Sequence, residues 1–188
     1  MKRVFDIICS FLLLIVLSPV FLLIACAVRF TSSGPAIFRS PRTGYKGAEF
    51  IMFKFRTMKN GSGDPKEIIM RGDYRVTQIG KFLRSTHSDE LPQLWNVLRG
   101  EMSLVGPRPY TPEISATCTL RNKKFHERLK IYPGITGLEQ INGRGRAIER
   151  GPSFTLALDL IYIKRQNFWF DLLIILKTIL VVLKRQGM

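Results

Sequence analysis

The sequence predicts a mainly α-helical fold with one small β-hairpin, attached to a membrane through an N-terminal helix that a proline breaks. Three observations predict it. No charged residue separates Asp6 from Arg29, and Pro19 interrupts that apolar run. Two short aromatic-rich runs, 36–39 and 49–55, flank the turn-forming residues 44–47. The remainder lacks the strand–helix alternation and the GxGxxG turn of a doubly wound sheet.

Taken in order, the run from Ile7 to Val28 would extend roughly 33 Å as a straight helix, enough to cross a bilayer core. Pro19 removes a backbone donor and clashes with the carbonyl of Ile15, so a bend is expected there. Ser18 supplies a hydroxyl able to satisfy the freed carbonyl. Lys2 and Arg3 precede the run, and Arg29, Arg39, Arg42 and Lys46 follow it. Positive residues mark the cytoplasmic side, and here both flanks qualify. A re-entrant helix broken at Ser18-Pro19 satisfies both, and a single crossing is the alternative. A secretory signal is rejected, because the run exceeds the usual ~7–15-residue apolar region and basic residues follow it.

Residues 60–65 (NGSGDP) and 142–146 (NGRGR) read as loops. Val76, Ile79, Phe82 and Leu83 have helical spacing. Residues 92–98 form a helix that Pro92 opens and Gly100 stops. Pro107-Arg108-Pro109 is a stiffened turn, and 113–131 is compatible with a helix basic on one side. At the C-terminus, Asp171, Thr178 and Arg185 share one arc with Lys177 and Lys184 beside them, and the rest of the wheel is apolar. That pattern suits an amphipathic helix lying in the membrane interface, with an ordinary core helix as the alternative. The expected organisation is a membrane helix over 1–30, a cytoplasmic domain over 31–167 and an interfacial helix over 168–188.

Composition narrows the chemistry. Among 188 residues there are 29 Lys and Arg against 14 Asp and Glu, a net charge of +15. With 46% hydrophobic residues, a disordered chain is excluded. The charge implies an anionic partner: nucleic acid, acidic lipid or a phosphorylated substrate. Cys9, Cys26 and Cys118 are too scattered for a zinc site or disulfide framework. His87 and His126 have no ligand-spaced partner. Ser85 and Ser88 lie in no GxSxG elbow, and Trp95 is expected in the core.

In so basic a chain the adjacent acids Asp89 and Glu90 stand out. They could merely complement the dipole of the following helix. Alternatively, a carboxylate beside Arg84 stays ionised as a metal ligand or nucleophile. A hard cation such as Mg²⁺ needs only one or two carboxylates when phosphate oxygens complete its shell. Arg84, Arg108 between its prolines, and Arg144 between glycines are candidate diphosphate clamps. Lys123, Lys124, Arg128 and Lys130 read as a solvated basic face or a contact to anionic lipid headgroups. The residues alone thus reach a membrane-associated protein handling a phosphorylated ligand. A polyanion binder remains as a rival, although no stacking aromatics accompany the basic residues.

Lys54-Phe-Arg-Thr-Met58, the stretch from Arg84 through Asp89-Glu-Leu-Pro-Gln-Leu-Trp to Val-Gly-Pro-Arg-Pro109, and Pro133-Gly-Ile-Thr-Gly-Leu138 resemble the bacterial sugar transferase family. These are monotopic polyprenyl-phosphate phosphoglycosyl transferases, and the chain looks like their minimal form. The resemblance implies transfer of a phosphosugar from a UDP-sugar to a polyprenyl phosphate such as undecaprenyl phosphate, with UMP released and Mg²⁺ required. It implies Asp89 as nucleophile and metal ligand, with Glu90 completing the dyad. Arg84 and Arg144 match phosphate-binding arginines, and Lys54 lies in a matching motif. Pro107-Arg108-Pro109 matches a nucleotide-side motif, and Ser18-Pro19 matches a helix break. The implied place is the cytoplasmic face of the bacterial inner membrane, with anionic lipids as neighbours, no nucleic acid, and a homo-oligomer left open. Three features depart from the pattern. Glu139 stands where a small residue is common, 147–154 lacks a frequent tryptophan, and 31–35 lacks a frequent acid. The donor sugar therefore stays open, and a catalytically dead scaffold is the remaining alternative.

Overall fold

The computed structural model describes residues 1–59, 61, 73–142 and 151–183. The apolar N-terminal run forms two helices, α1 (Lys2–Val16) and α2 (Ser18–Thr31), bent by 63° at their junction. The bend has the expected cause. Pro19 has no N–H for the Ile15 carbonyl, and the Ser18 hydroxyl donates to that oxygen instead, at 2.8 Å. No single helix among the described residues is long and apolar enough to cross a membrane.

Both ends of this bent pair are tied to the same folded unit. At the start, the Lys2 ammonium donates to the Asp171 carboxylate and the Val105 carbonyl, and Arg3 donates to the carbonyls of Leu98 and Met102. Asp6, buried within α1, accepts from the Ser103 hydroxyl at 2.7 Å. At the other end, Val28 is buried with Phe55 and Leu83. The apolar side chains between, including Leu12, Ile15, Val16, Leu22 and Leu23, are exposed.

The hairpin is longer than its aromatic runs suggested: β1 (Ile37–Thr43) pairs antiparallel with β2 (Glu49–Phe55). Phe50 and Met52 point from β2 into the main core, where they meet Leu94, Val97, Met102, Val105, Tyr162 and Ile174. After α3 (Gln78–Ser85) and a single 3₁₀ turn at Ser88–Glu90, α4 (Gln93–Arg99) begins behind Pro92. It ends at Gly100, whose φ of 83° is the left-handed cap that the sequence anticipated. Fully buried Asn96 ties α4 to the hairpin: its amide donates to the Ile51 carbonyl at 2.7 Å and accepts from the Phe53 N–H at 3.0 Å.

A second sheet was not anticipated. Strands β3 (Ser103–Val105) and β4 (Gly134–Thr136) pair in parallel, and each is too short to give a periodic signal. They meet at glycine: a Cβ on Gly134 would lie 2.0 Å from the Gly106 nitrogen, so this close approach admits no side chain. The stretch expected as one helix over 113–131 splits into α5 (Pro112–Arg121) and a 3₁₀ segment, Lys123–Lys130. Asn122 breaks it, with extended backbone and a side chain that accepts from the Lys124 N–H. The short α6 (Leu138–Ile141) follows β4, and α7 (Pro152–Arg165) and α8 (Phe168–Leu183) complete the fold.

In helix α8 two polar residues face the protein: Asp171 is buried and accepts from Tyr162 and Lys2, and Thr178 bonds to Thr136, whereas Lys177 is exposed. The apolar arc, with Trp169, Leu173, Leu176, Ile179, Leu180 and Leu183, is the exposed one. Two expectations are corrected. Trp95 is half exposed, lying with Phe53 beneath the Arg99 guanidinium. Arg128 is no solvated cation, because its guanidinium pairs with buried Asp159 at 2.6 Å and stacks over the Tyr110 ring. Lys123 and Lys124 are exposed, as read.

Candidate active site

The acidic pair sits at a sharp reversal. His87 adopts a left-handed conformation, φ 55°, between α3 and the 3₁₀ turn. Histidine is among the residues that tolerate that region. The reversal turns Asp89 and Glu90 inward, and both are buried. The Glu90 Oε1 accepts from the Lys54 ammonium at 3.1 Å and from Arg108 Nη2 at 2.9 Å. These partners come from β2 and from the turn after β3. The carboxylate is therefore committed to long-range cations, and a role confined to the dipole of α4 is set aside.

The surrounding cations are held in place. Arg84 Nε donates to the Thr57 hydroxyl at 2.9 Å, which fixes its fork near Asp89. Burial lowers the proton affinity of Arg84, and the Asp89 charge works against that loss. The Glu90 charge raises the affinity of Arg108 further above its ordinary value, with Glu139 and Asp89 adding to it. The backbone of Arg108 is anchored as well, because Arg128 Nη2 donates to its carbonyl at 2.7 Å. Burial pushes the Asp159 carboxyl, the partner of Arg128, up to about 6. Pro107 and Pro109 line a cavity of about 20 Å³ with Arg108, Tyr110 and Arg128.

The structure thus brings together Lys54, Arg84, Asp89, Glu90 and Arg108, with Pro107 and Pro109 around the last. Ser18 and Pro19 stand apart at the helix bend. Arg144 and Arg146, most of the 60–65 loop, and Lys184 and Arg185 lie outside the described residues.

Two groups near the site were missed as site residues. Arg42, read only as a flanking charge, carries a guanidinium lowered to about 10 by burial and then by Arg108. The signal was its parity: Arg42 pairs with Phe50 and so shares the buried hairpin face. Glu139, noted only as a departure, is buried close enough to Arg108 and Asp159 to influence both. Its Oε2 has no hydrogen-bond partner.

No group of three or more His, Cys, Asp or Glu suited to a metal occurs among the described residues. The adjacent oxygen donors of Asp89 and Glu90 do fit a hard cation that completes its shell with substrate oxygens.

The bacterial sugar transferase family profile matches residues 1–185. The chain belongs to that family. It is 46% identical over 186 residues to a UDP-glucose:undecaprenyl-phosphate glucose-1-phosphate transferase of Klebsiella pneumoniae, covering 95% of this chain and 39% of that protein. A protein of the same name from Caulobacter vibrioides is 41% identical over 181 residues, covering 95% of this chain and 68% of that one. An undecaprenyl-phosphate galactose phosphotransferase of Salmonella typhimurium is 38% identical, covering 100% of this chain and 42% of that one. The chain therefore spans only part of the length of these curated relatives.

Proposed function

We propose that this chain moves a phosphosugar from a UDP-sugar to a polyprenyl phosphate at the cytoplasmic face of the bacterial inner membrane. The observation that carries the reading is the buried Asp89-Glu90 pair, with Glu90 held by both Lys54 and Arg108, in a member of this family. In the first step an Asp89 carboxylate oxygen attacks the sugar-bearing phosphorus. A P–O bond forms to Asp89, the diphosphate P–O bond breaks, and UMP leaves. In the second step an oxygen of the lipid phosphate attacks the same phosphorus. The Asp89–phosphorus bond breaks, and the carboxylate is regenerated with no net proton change. Dividing an exchange between two anions in this way replaces one difficult step with two easier ones.

The other residues have electrostatic and positioning tasks. Arg84 and Arg108 offset charge on the phosphoryl oxygens, with Arg84 steadied by Thr57 and Arg108 by Arg128. Glu90 keeps Lys54 and Arg108 in register with Asp89. Mg²⁺, held at Asp89, would supply further charge neutralisation to the diphosphate when bound.

The membrane part of the reading rests on the bent helix pair. Its two ends dock on one folded unit while the apolar middle is exposed, which fits entry and exit by the same face. The exposed apolar arc of α8 would lie against the acyl boundary, with Phe168 and Trp169 at headgroup level and exposed Lys123 and Lys124 near anionic lipid. A shallowly embedded enzyme meets the acceptor phosphate while drawing a soluble donor from the cytoplasm.

The test is UMP release by purified protein in nanodiscs containing undecaprenyl phosphate and Mg²⁺, across a UDP-sugar panel. Lipid-dependent release with one donor, lost in Asp89→Asn, supports the reading. Silence of folded wild-type protein across the panel overturns it.

A further inference from the structure

Arg42 is a half-buried guanidinium that makes no hydrogen bond or ion pair among the described residues. Its Nε is sealed from solvent, whereas its two terminal nitrogens keep accessible surface. A cation drawn partly out of water without an acceptor is costly. The five N–H donors of a guanidinium suit the several oxygens of a phosphate.

Backbone geometry sets this group beside Arg108. Thr43, the next residue of β1, donates its N–H to the Tyr110 carbonyl at 2.9 Å, which joins the end of β1 to the turn at 107–109. Arg42 pairs with Phe50, so its side chain leaves the hairpin on the face that carries Phe50, Met52 and Lys54. That face is turned toward Glu90, which Lys54 and Arg108 both hold. The lowered proton affinity of Arg42, due to burial and then to the Arg108 charge, agrees with the placement. Arg108 also keeps donors in reserve: its side chain is 27% exposed, and Nη2 is the nitrogen it commits to Glu90.

The surroundings point to a soluble ligand. Thr43 and Arg108 line one concavity with Gly44, Pro107, Tyr110 and Pro133, and no residue of α1, α2 or α8 borders it. The donor has such a soluble end. When an Asp89 oxygen bonds to the sugar-bearing phosphorus, the opposite P–O bond breaks. Its electron pair stays on the phosphate of UMP, where one negative charge develops. Arg84 serves Asp89 from the α3 side, steadied by Thr57, whereas Arg42 and Arg108 come from β1 and the turn after β3.

We propose that Arg42 and Arg108 together hold the phosphate that departs as UMP, with Arg42 kept unbonded for that ligand. This rests on the transferase reading and gives Arg42 a leaving-group task separate from that of Arg84.

The experiment measures the Kd for UMP by calorimetry, with the full chain in phosphatidylcholine nanodiscs and Mg²⁺, for wild type, Arg42→Gln and Arg42→Lys. The KM for undecaprenyl phosphate and the melting temperature are measured alongside. The expected result is a UMP Kd raised about tenfold or more in Arg42→Gln and less in Arg42→Lys, with the acceptor KM within about twofold of wild type. An unchanged UMP Kd overturns the proposal. So does a matching rise in the acceptor KM with a lowered melting temperature, which is the signature of a packing residue. A raised acceptor KM with intact UMP binding also overturns it, because the pair then serves the lipid phosphate. Should Arg42→Gln fail to fold, Arg42→Lys decides on the same readings. If wild type proves inactive with every donor, the transferase reading fails by itself. UMP binding then still tests the site: weakening in Arg42→Gln supports it, and equal binding, or none by wild type, overturns it.

Discussion

Replacing Glu90 with Gln changes little in shape and removes one charge from the centre of the candidate site. The Glu90 side chain is 6% exposed, that of Lys54 16% and that of Arg108 27%, so solvent screens these contacts only in part. In the wild type one oxygen accepts from both cations, at 3.1 and 2.9 Å. An amide oxygen can still accept both, but two bonds between ions become bonds from a cation to a neutral group. Bonds between charged groups exceed neutral ones by roughly 1 kcal/mol each, which gives about 2 kcal/mol for the pair. If the pair aligns Arg108 and Lys54 on the phosphoryl oxygens, that energy is lost mainly in the transition state. About 2 kcal/mol corresponds to a roughly 30-fold fall in kcat/KM for UMP release. The double variant Glu90→Gln/Lys54→Met should fall less than the product of the two single losses, because the residues share one contact. Glu90→Gln within threefold of wild type, with the fold intact, would refute the reasoning and return Glu90 to a packing role.

Further outcomes follow from other parts of the fold. Asn96→Leu, at a fully buried position, leaves the partly buried Phe53 N–H and Ile51 carbonyl without their side-chain partner, and should lower unfolding stability by roughly 2 kcal/mol; a melting temperature equal to wild type would contradict this. Tags at both termini should react with impermeant reagents only from the cytoplasmic side, whereas an N-terminal tag reached from outside would sink the re-entrant arrangement. Asp159 holds its proton up to about 6 in the folded state but releases it near 3.8 when unfolded. The native state therefore binds more protons in that window, and stability falls as pH rises from about 4 to 6. Asp159→Asn should flatten that slope in melting curves, and an unaltered slope would exclude Asp159 as its source.

Local signals made much of this legible. The bend at Pro19 with its Ser18 bond, the hairpin and the glycine stop at Gly100 all follow from short-range chemistry, where one or two residues fix the backbone. The sequence stopped short where strands were brief or partners distant. Three-residue β3 and β4 carry no period of their own and exist because Gly106 and Gly134 let two backbones touch. Arg42 and Arg128 look like surface cations in one dimension. Only the packed structure sets one beside Arg108 and the other against Asp159.

Helix α8 shows the division most clearly. Its sequence by itself determined that one arc is polar and the other apolar. Which arc meets the protein was decided by tertiary structure, because Tyr162, Lys2 and Thr136 supply bonds that Asp171 and Thr178 would otherwise seek in water. The Glu90 contact is of the same kind. An acid in a basic chain must find cations, but only the fold determines that they are Lys54 and Arg108, since chain closure over 36 and 18 residues is set by the whole core.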